Sequence, residues 1–307
     1  MSASSQKQPL LKKITTGLTV GTVVTGSTFF HGPPVLALGL TKLFKKSRKV
    51  DETNIQITNS WLTVNNWLID HVLPNTEWDI SVDDDLDLNM QGRYLMTCNH
   101  QSWVDTTVNQ YFGLTRMPLT RFFTKWELIF IPFVGQAFKI LGFPMMKRHS
   151  KEQIAKNPEL KYRDIEEARK SCEQLLSQPF TLLNYLEGTR YTPEKHAQQK
   201  SPYKHLLKPK AGGLALALNI LGKDIDALVD MTIIYPNGAP GYGEFWLGDV
   251  SKIAVNLRKI DIPEWVHGGD YEDDLEYRDR FQKWVDDLWA EKDQLIEKMK
   301  QNIASAE

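Results

Sequence analysis

The chain has 307 residues, enough to bury one sizeable core or at most two small ones. Hydrophobic residues make up 41% and charged residues 24%, which is ordinary for a folded protein and excludes a mainly disordered chain. The formal net charge of -1 hides an uneven distribution: residues 77–87 carry six acids and no Lys or Arg, whereas residues 116–151 carry seven Lys or Arg and one acid. Such a basic region indicates either a solvated face or contact with an anionic partner, such as phosphate or an acidic membrane surface.

A long segment near the amino terminus carries no Asp, Glu, Lys or Arg. It covers residues 14–41, and basic residues lie on both sides of it. About twenty apolar residues would span a bilayer, but the run HGPP at residues 31–34 divides the segment, because proline removes a backbone donor and ends a helix. Pieces of roughly a dozen residues favour a segment that dips into the membrane. We therefore predict a membrane-anchoring segment at residues 1–50, folded as a shallow helical hairpin with both ends on the cytoplasmic side. A single span is the alternative.

Helical and strand patterns alternate through the rest of the chain. Helical periodicity predicts helices over residues 60–73, 102–111, 158–176, 212–221 and 275–299, and helix-prone pieces over residues 125–141. Short apolar runs bounded by turn residues predict strands over residues 93–98, 180–186 and 230–235. Strands that alternate with helices indicate an α/β fold, with a central mixed, mostly parallel sheet flanked by helices.

The sharpest local feature is the run NHQSWVD at residues 99–105. It follows a predicted buried strand, and strand-to-helix connections present side chains at an open sheet edge. The imidazole of His100 can exchange a proton near neutral pH. A carboxylate one helical turn further on, Asp105, is spaced to bind the far ring nitrogen and to stabilise the imidazolium. By itself an H-x-x-x-x-D pair is a frequent chance pattern.

Two further runs combine turn residues with cations. Residues 187–190, EGTR, follow a predicted strand. In this run Gly188 permits a tight turn, and Arg190 offers a planar fork suited to phosphate. Residues 142–148, GFPMMKR, are apolar and end in two cations. Taken alone, the first run is typical of a turn with a surface ion pair and the second of an edge strand with a charged end.

The order and spacing of these runs change the interpretation. Together with an apolar strand that ends at Pro236, they resemble the four motifs of the 1-acylglycerol-3-phosphate acyltransferase (PlsC-type) family over roughly residues 94–236. Details such as YLEGTRYT at residues 185–192 resemble the bacterial YihG-type acyltransferases and are similar to the eukaryotic lysophospholipid and lysocardiolipin acyltransferase branch. Leu186, Lys147 and the run MTIIYP at residues 231–236 depart from the usual motifs. Because His100 and Asp105 are intact, these departures bear on the acceptor more than on activity.

The resemblance implies that residues 51–307 form an acyltransferase catalytic domain. His100 would act as the general base that removes the proton from an acceptor hydroxyl, with Asp105 orienting it. The residues implied in binding the acceptor are Arg148, Glu187, Gly188, Thr189 and Arg190. Lys208 and Lys210, which precede a predicted helix, are candidates for further phosphate contacts.

The resemblance also implies the partners. The acceptor would be a lysophosphatidate-like membrane lipid, and the co-substrate a thioester of coenzyme A or of acyl carrier protein. We expect location at the cytoplasmic face of the inner membrane through the amino-terminal segment, and no nucleic-acid partner. Since a thioester is already activated, direct attack by the acceptor oxygen is sufficient and no Ser or Cys nucleophile is needed; the chain has no G-x-S-x-G elbow. No cofactor is expected beyond the thioester co-substrate. No metal is expected either, because Cys98 and Cys172 have no C-x-x-C spacing and no obvious histidine partner.

Two other functions fit the same residues. A lipid hydrolase or a remodelling transacylase using the same dyad would turn over without a thioester donor. A non-catalytic lipid-binding protein would tolerate loss of His100. We favour acyl transfer, because a silent protein need not keep both His100 and Asp105.

Overall fold

The computed structural model describes residues 9–42, 44, 47–73, 75–131, 134–146, 151–157 and 159–306. The helices are α1 (Leu10–Thr41), α2 (Arg48–Val72), α3 (Val104–Gly113), α4 (Val134–Ile140), α5 (Lys151–Lys156), α6 (Glu159–Leu175), α7 (Pro193–Gln199), α8 (Gly212–Leu221), α9 (Tyr242–Trp246) and α10 (Leu275–Ala306), with 3-10 helices at Trp126–Phe130 and Glu264–Val266. The strands are β1 (Glu77–Val82), β2 (Arg93–Cys98), β3 (Thr120–Phe122), β4 (Thr124–Lys125), β5 (Met145–Met146), β6 (Phe180–Tyr185), β7 (Ala227–Ile234) and β8 (Lys252–Ile260).

One sheet forms the centre of the fold, with the strand order β1-β8-β7-β2-β6-β3. β7 and β8 are antiparallel, and the other neighbouring pairs are parallel. β7 is buried at every position and β2 at all but its first, as expected for parallel strands covered on both faces. The predicted central mixed, mostly parallel sheet is confirmed. A short parallel ladder of β4 and β5 lies apart from it.

Helices cover both faces of the sheet, and the alternation of side chains along β2 divides the core between them. Leu95 lies in a cluster that includes Leu214 of α8 and Trp289 of α10. Met96, the next residue, lies in a second cluster with Val108 of α3. Because successive strand residues point to opposite faces, each strand serves both layers. The sheet is therefore held between α6, α8 and α10 on one side and α2, α3 and α9 on the other.

The structure corrects the prediction that the amino-terminal segment breaks at residues 31–34. α1 is continuous, with Pro33 and Pro34 inside it. An internal proline costs about 3 kcal/mol or more in a helix, so packing must compensate. The buried side chains of α1 recur about every four residues, as one stripe: Thr16, Val20, Ser27, His31, Val35 and Gly39.

That stripe packs against α2, which runs antiparallel to α1. His31 Nε2 lies 3.1 Å from Ser60 Oγ, and close to the connection between the helices Lys42 forms an ion pair with Asp51. A helical hairpin therefore forms, but its arms are α1 and α2 and its turn lies after Thr41. In the described part of the chain, α1 is long and apolar enough to cross a membrane. The predicted domain boundary at residue 50 falls in the first turn of α2.

Candidate active site

The site lies where three parallel strands end side by side. β2 is flanked by β6 and β7, and all three run in the same direction. His100 follows β2 by two residues, Glu187 follows β6 by two, and Tyr235 comes directly after β7. Because the carboxyl ends of parallel strands meet at one edge, three runs that are distant in sequence become neighbours.

Asn99 fixes the end of β2 against β7. Its Nδ2 donates to the carbonyl oxygen of Ile233 at 2.8 Å, and its Oδ1 accepts from the Ile233 N–H at 2.9 Å. The side chain is fully buried. This double hydrogen bond ties the residue before His100 to the neighbouring strand. Sequence reasoning gave Asn99 no role, and its place directly before the histidine was the only signal for one.

The structure brings His100 and Asp105 into direct contact. His100 Nδ1 lies 2.8 Å from Asp105 Oδ2. The Asp105 side chain is fully buried, whereas that of His100 is 14% exposed. Since Nδ1 faces a carboxylate, the hydrogen-bond network assigns the proton to Nδ1 and leaves Nε2 as an acceptor. A base held by a buried acid, with one side open, is suited to remove a proton from a bound hydroxyl.

Asp105 accepts several hydrogen bonds besides the one from His100. The backbone N–H groups of Gln101 and Ser102 donate to Oδ2 at 2.7 Å and 2.9 Å. The hydroxyl of Tyr235 donates to Oδ1 at 2.7 Å. These donors supply hydrogen bonds to a carboxylate that burial removes from water. The loop from Gln101 is thereby folded around the carboxylate of Asp105, which lies in the first turn of α3.

Tyr185, the last residue of β6, packs against the histidine ring. The two ring centroids are 4.1 Å apart, with an interplanar angle of 22°. Burial raises the pKa of Tyr185 well above its ordinary value, so the phenol remains neutral. The stack restrains the plane of the imidazole, and its one sequence signal is a tyrosine near the end of a predicted strand.

Glu187 holds two loops together. It is fully buried, and its Oε1 accepts from the N–H of His100 at 2.7 Å while its Oε2 accepts from the N–H of Leu207 at 2.9 Å. Burial raises the pKa of the Glu187 carboxyl to about 7, and the two backbone donors oppose that rise. Both oxygens therefore accept hydrogen bonds from backbone N–H groups, and Glu187 joins the loop that carries His100 to the loop that carries Leu207.

The rest of the EGTR run forms a turn lined with cations. Gly188 adopts a φ of 65°, which favours glycine, and a Cβ there would lie 3.3 Å from Lys210 Nζ. Lys195 Nζ donates to Thr189 Oγ1 at 2.7 Å and to the carbonyl oxygen of Arg190 at 2.9 Å. Lys210 is therefore close to the turn, and its role in phosphate binding stays a prediction. Lys195 was not predicted from the sequence.

Arg190 stacks on an exposed tryptophan of the NHQSWVD run. Its guanidinium carbon lies 4.5 Å from the ring centroid of Trp103, and Trp103 is 59% exposed. A guanidinium whose face stacks on an aromatic ring still has the N–H groups along its edge available to donate to a planar anion. The stack links the EGTR turn to the loop that carries His100 and Asp105.

Arg148, predicted to bind the acceptor, lies outside the described residues. The side chain of Lys208 is exposed, as is that of Lys210, and the Lys208 N–H donates to Gln199 Oε1 at 3.2 Å. Within the described ranges, no group of three or more His, Cys, Asp or Glu side chains could hold a metal ion.

Comparisons with known proteins agree with the position of these motifs. Residues 79–236, just over half of the chain, match the family model described as Acyltransferase. The chain is 25% identical over 254 residues to a 2-acyl-1-lysophosphatidylinositol acyltransferase of Saccharomyces cerevisiae, a match covering 68% of this chain and 62% of the relative. It is 24% identical over 222 residues to the mouse 1-acyl-sn-glycerol-3-phosphate acyltransferase epsilon, covering 64% of this chain and 55% of the relative. The chain therefore spans about three fifths of the length of these curated relatives.

A solved structure shares the fold. The crystal structure of the 1-acyl-sn-glycerophosphate acyltransferase PlsC from Thermotoga maritima superposes with a TM-score of 0.51 and 17% sequence identity. The match covers 92% of this chain and 97% of that one. At this identity the likeness supports the α/β fold with its amino-terminal helices. The narrower resemblance to YihG-type proteins stays a prediction.

Proposed function

The chain belongs to the acyltransferase family, whose model matches more than half of it, and on that premise we propose that it transfers a fatty acyl group from a thioester to the hydroxyl of a lysophosphatidate-like lysophospholipid. The observation that carries the proposal is the contact between partly exposed His100 and fully buried Asp105, beside the Arg190 guanidinium on Trp103. A base and a phosphate-binding group side by side suit an acceptor that carries both a hydroxyl and a phosphate.

In the proposed reaction, His100 Nε2 takes the proton of the acceptor hydroxyl while the oxygen attacks the thioester carbonyl carbon. A C–O bond forms, the C–S bond of the tetrahedral adduct breaks, and the imidazolium returns its proton to the leaving thiolate. Asp105 stabilises the imidazolium between these two transfers. General-base assistance of this kind contributes roughly 10²- to 10⁴-fold in rate.

Direct transfer is supported by the state of both cysteines and of Ser102 beside the dyad. Cys98 and Cys172 are fully buried, and burial raises the pKa of both thiols, that of Cys172 to about 12. Ser102 Oγ donates to the carbonyl oxygen of Pro240 at 2.5 Å and accepts from the N–H of Val104 at 3.0 Å. None of the three side chains is prepared to form a covalent acyl intermediate.

The phosphate of the acceptor would bind the cations around the EGTR turn. Arg190 offers the geometry for a bidentate contact, and Lys195 and Lys210 add positive charge next to Gly188 and Thr189. Arg148 remains a predicted contributor. The names of both curated relatives contain a phosphate-bearing glycerolipid acceptor, which supports this acceptor class without choosing the head group.

The membrane would be the source of that acceptor. Large apolar side chains are exposed along α1 and near its carboxyl end, among them Leu18, Phe29, Phe30, Phe44 and Phe130. Phe130 belongs to the 3-10 helix that packs on α4, and α4 packs on α1. An apolar surface of this extent is costly in water and suits a lipid surface. We propose attachment through the α1–α2 hairpin at the cytoplasmic face of the inner membrane.

A donor and acceptor panel tests the activity. Purified protein in mixed micelles is given acyl-coenzyme A or acyl carrier protein thioesters with lysophosphatidate, other lysophospholipids, or no acceptor, and free thiol and acylated lipid are both measured. Thiol release coupled to acylated lipid supports transfer. Thiol release without acceptor indicates a thioesterase, and lipid turnover without thioester indicates a hydrolase or transacylase. Absence of all three would leave the lipid-binding alternative.

The role of His100 is tested with a matched histidine. His100→Ala should abolish turnover, while His71→Ala, which changes an exposed ring on α2, should leave turnover as in the wild type. Circular dichroism and thermal melting check that both variants fold. Full activity in His100→Ala would reject the mechanism.

A further inference from the structure

We propose that Tyr235 is a positioning residue of this reaction, which holds the free oxygen of Asp105 and thereby sets the proton affinity of His100. The inference rests on the proposed function only for its kinetic readout. The coupling of Tyr235 to the titration of His100 can be measured without turnover.

The hydrogen bonds around Asp105 are unequal. Oδ2 accepts from His100 Nδ1 and from two backbone N–H groups. Oδ1 accepts from Tyr235 at 2.7 Å, and among the described residues no other donor bonds to it. Tyr235 is thus the one side chain besides His100 that fixes the orientation of the carboxylate. Without its hydroxyl, a buried anionic oxygen would lack a protein donor.

The fold places Tyr235 rigidly. It directly follows β7. Two residues before it, the backbone of Ile233 is held by the two hydrogen bonds to the Asn99 side chain. Its side chain is 4% exposed and lies in the same core cluster as Val104 and Val108 of α3. Burial raises the pKa of Tyr235 well above its ordinary value, and the nearby Asp105 charge adds to the rise. The phenol therefore stays protonated and able to donate.

Removing the hydroxyl should change the proton affinity of His100 in a defined direction. A donor on Oδ1 withdraws charge from the carboxylate, so its loss leaves more negative charge facing the imidazole. That charge stabilises the imidazolium, so the acid limb of the kcat/KM profile should move to higher pH. The carboxylate also becomes freer to rotate, so kcat should fall about tenfold. KM should change little, because Tyr235 does not face solvent.

Tyr235→Phe leaves the other titratable groups near His100 unchanged in sequence. Tyr185 stacks on the His100 ring and Glu187 accepts from the His100 N–H. The charges of Lys292 and Asp230 act on Cys98, at the end of β2, and that of Lys292 also acts on Glu187. Their effects are common to the wild type and the variant. A difference between the two pH profiles therefore reports on the Tyr235 hydroxyl.

The experiment compares Tyr235→Phe with Tyr94→Phe. Tyr94 is also fully buried, and its hydroxyl also makes hydrogen bonds, to Asn89 and Asp87, on the same side of the sheet. The profile of kcat/KM against pH is measured for each full-length protein in micelles. The resonances of the His100 ring are also followed against pH by NMR, after assignment through their loss in His100→Ala. Tyr235→Phe should move the acid limb and the His100 titration upward together, and Tyr94→Phe should move neither.

A second perturbation has the opposite sign and keeps the shape of the residue. 3-Fluorotyrosine in place of Tyr235 makes the phenol a stronger donor, so the pKa of His100 should fall below that of the wild type. This substitution keeps the proposal testable if Tyr235→Phe does not fold. An unchanged His100 titration in both variants, or equal shifts in Tyr94→Phe, would overturn the inference. If the wild type transfers no acyl group while the titration still shifts, the proposed function fails and the coupling stands.

Discussion

Glu187 offers a direct test of whether burial raises the pKa of a carboxyl next to His100. Its side chain is fully buried, and burial raises the pKa of its carboxyl from 4.5 to about 7 against the opposing effect of two backbone donors. In the unfolded chain the carboxyl is solvated and titrates near its ordinary value. Between these two pH values the folded protein therefore binds more protons at this position than the unfolded chain does.

The direction of the pH dependence follows from that difference. Because the folded-state pKa is the higher one, the contribution of Glu187 to the free energy of unfolding is fully present below about pH 4.5 and is lost as the pH rises through about 7. The rise from 4.5 to about 7 corresponds to about 3 kcal/mol. Glu187→Gln cannot titrate, so its stability should lack this decline. The variant also loses one acceptor for a backbone N–H, which costs about 1–3 kcal/mol at every pH.

The assay is urea unfolding in one detergent at about pH 4 and about pH 8, where the titration is nearly absent or nearly complete. Glu187→Gln should be less stable than the wild type at the lower pH, and the difference should move in favour of the variant by about 3 kcal/mol at the higher pH. Glu173→Gln, which changes an exposed acid on α6, should run parallel to the wild type. If Glu187→Gln also runs parallel, the carboxyl does not titrate as burial requires, and the reasoning is wrong.

Four other changes have defined outcomes. Asp105→Asn should lower kcat by roughly 10²- to 10⁴-fold with little change in KM, since the wrong imidazole tautomer is then favoured; equal kcat would remove Asp105 from the mechanism. Arg190→Ala should raise KM for lysophosphatidate but not for a monoacylglycerol, and Arg190→Lys should be intermediate. Gly188→Ala should lower stability by about 1–2 kcal/mol in urea unfolding because of its positive φ, whereas Gly243→Ala, with open space around it, should not. Protease-accessible tags at residue 1 and in the exposed turn at residue 84, on either side of the α1–α2 hairpin, should both be cleaved from the cytoplasmic side, and opposite sides would indicate a true span.

Elements that are apolar runs bounded by turn residues could be predicted from the sequence alone. β2, β6 and α8 lie within a residue or two of their predicted bounds, since each is an apolar run closed by turn residues. β1 and β8 were not predicted. β1 is an edge strand with acids at two of its exposed positions, Glu77 and Asp79, and β8 mixes basic and apolar residues, so neither shows a continuous apolar run. β1 and β8 are strands because they pair with each other, and this pairing could not be predicted from either sequence run.

The amino-terminal helix shows a tertiary effect that outweighs a local rule. Two adjacent prolines predict a break, but α1 packs on α2, on α4 at Gly39 and, near its amino-terminal end, on α9. A Cβ on Gly39 would lie within 3 Å of the Ile140 side chain, so this position allows α4 to approach closely. The partner helices could not be identified from the segment alone. The sequence therefore predicted a hairpin but not which helices form it.

The site shows the same division between local and long-range information. His100 and Asp105 are close in sequence, so their contact could be expected, whereas Asp105 and Tyr235 are 130 positions apart. Two buried links fix the register that joins them: Thr97 donates to Asp230 at 2.7 Å, and the Asn99 amide pairs with Ile233. A slip of β7 by one residue would reverse the faces of all its side chains and would separate Tyr235 from Asp105. The residues that hold the sheet in register and those that hold the carboxylate are thus parts of one structure, and substitutions at Asp230 should affect the titration of His100 as well as stability.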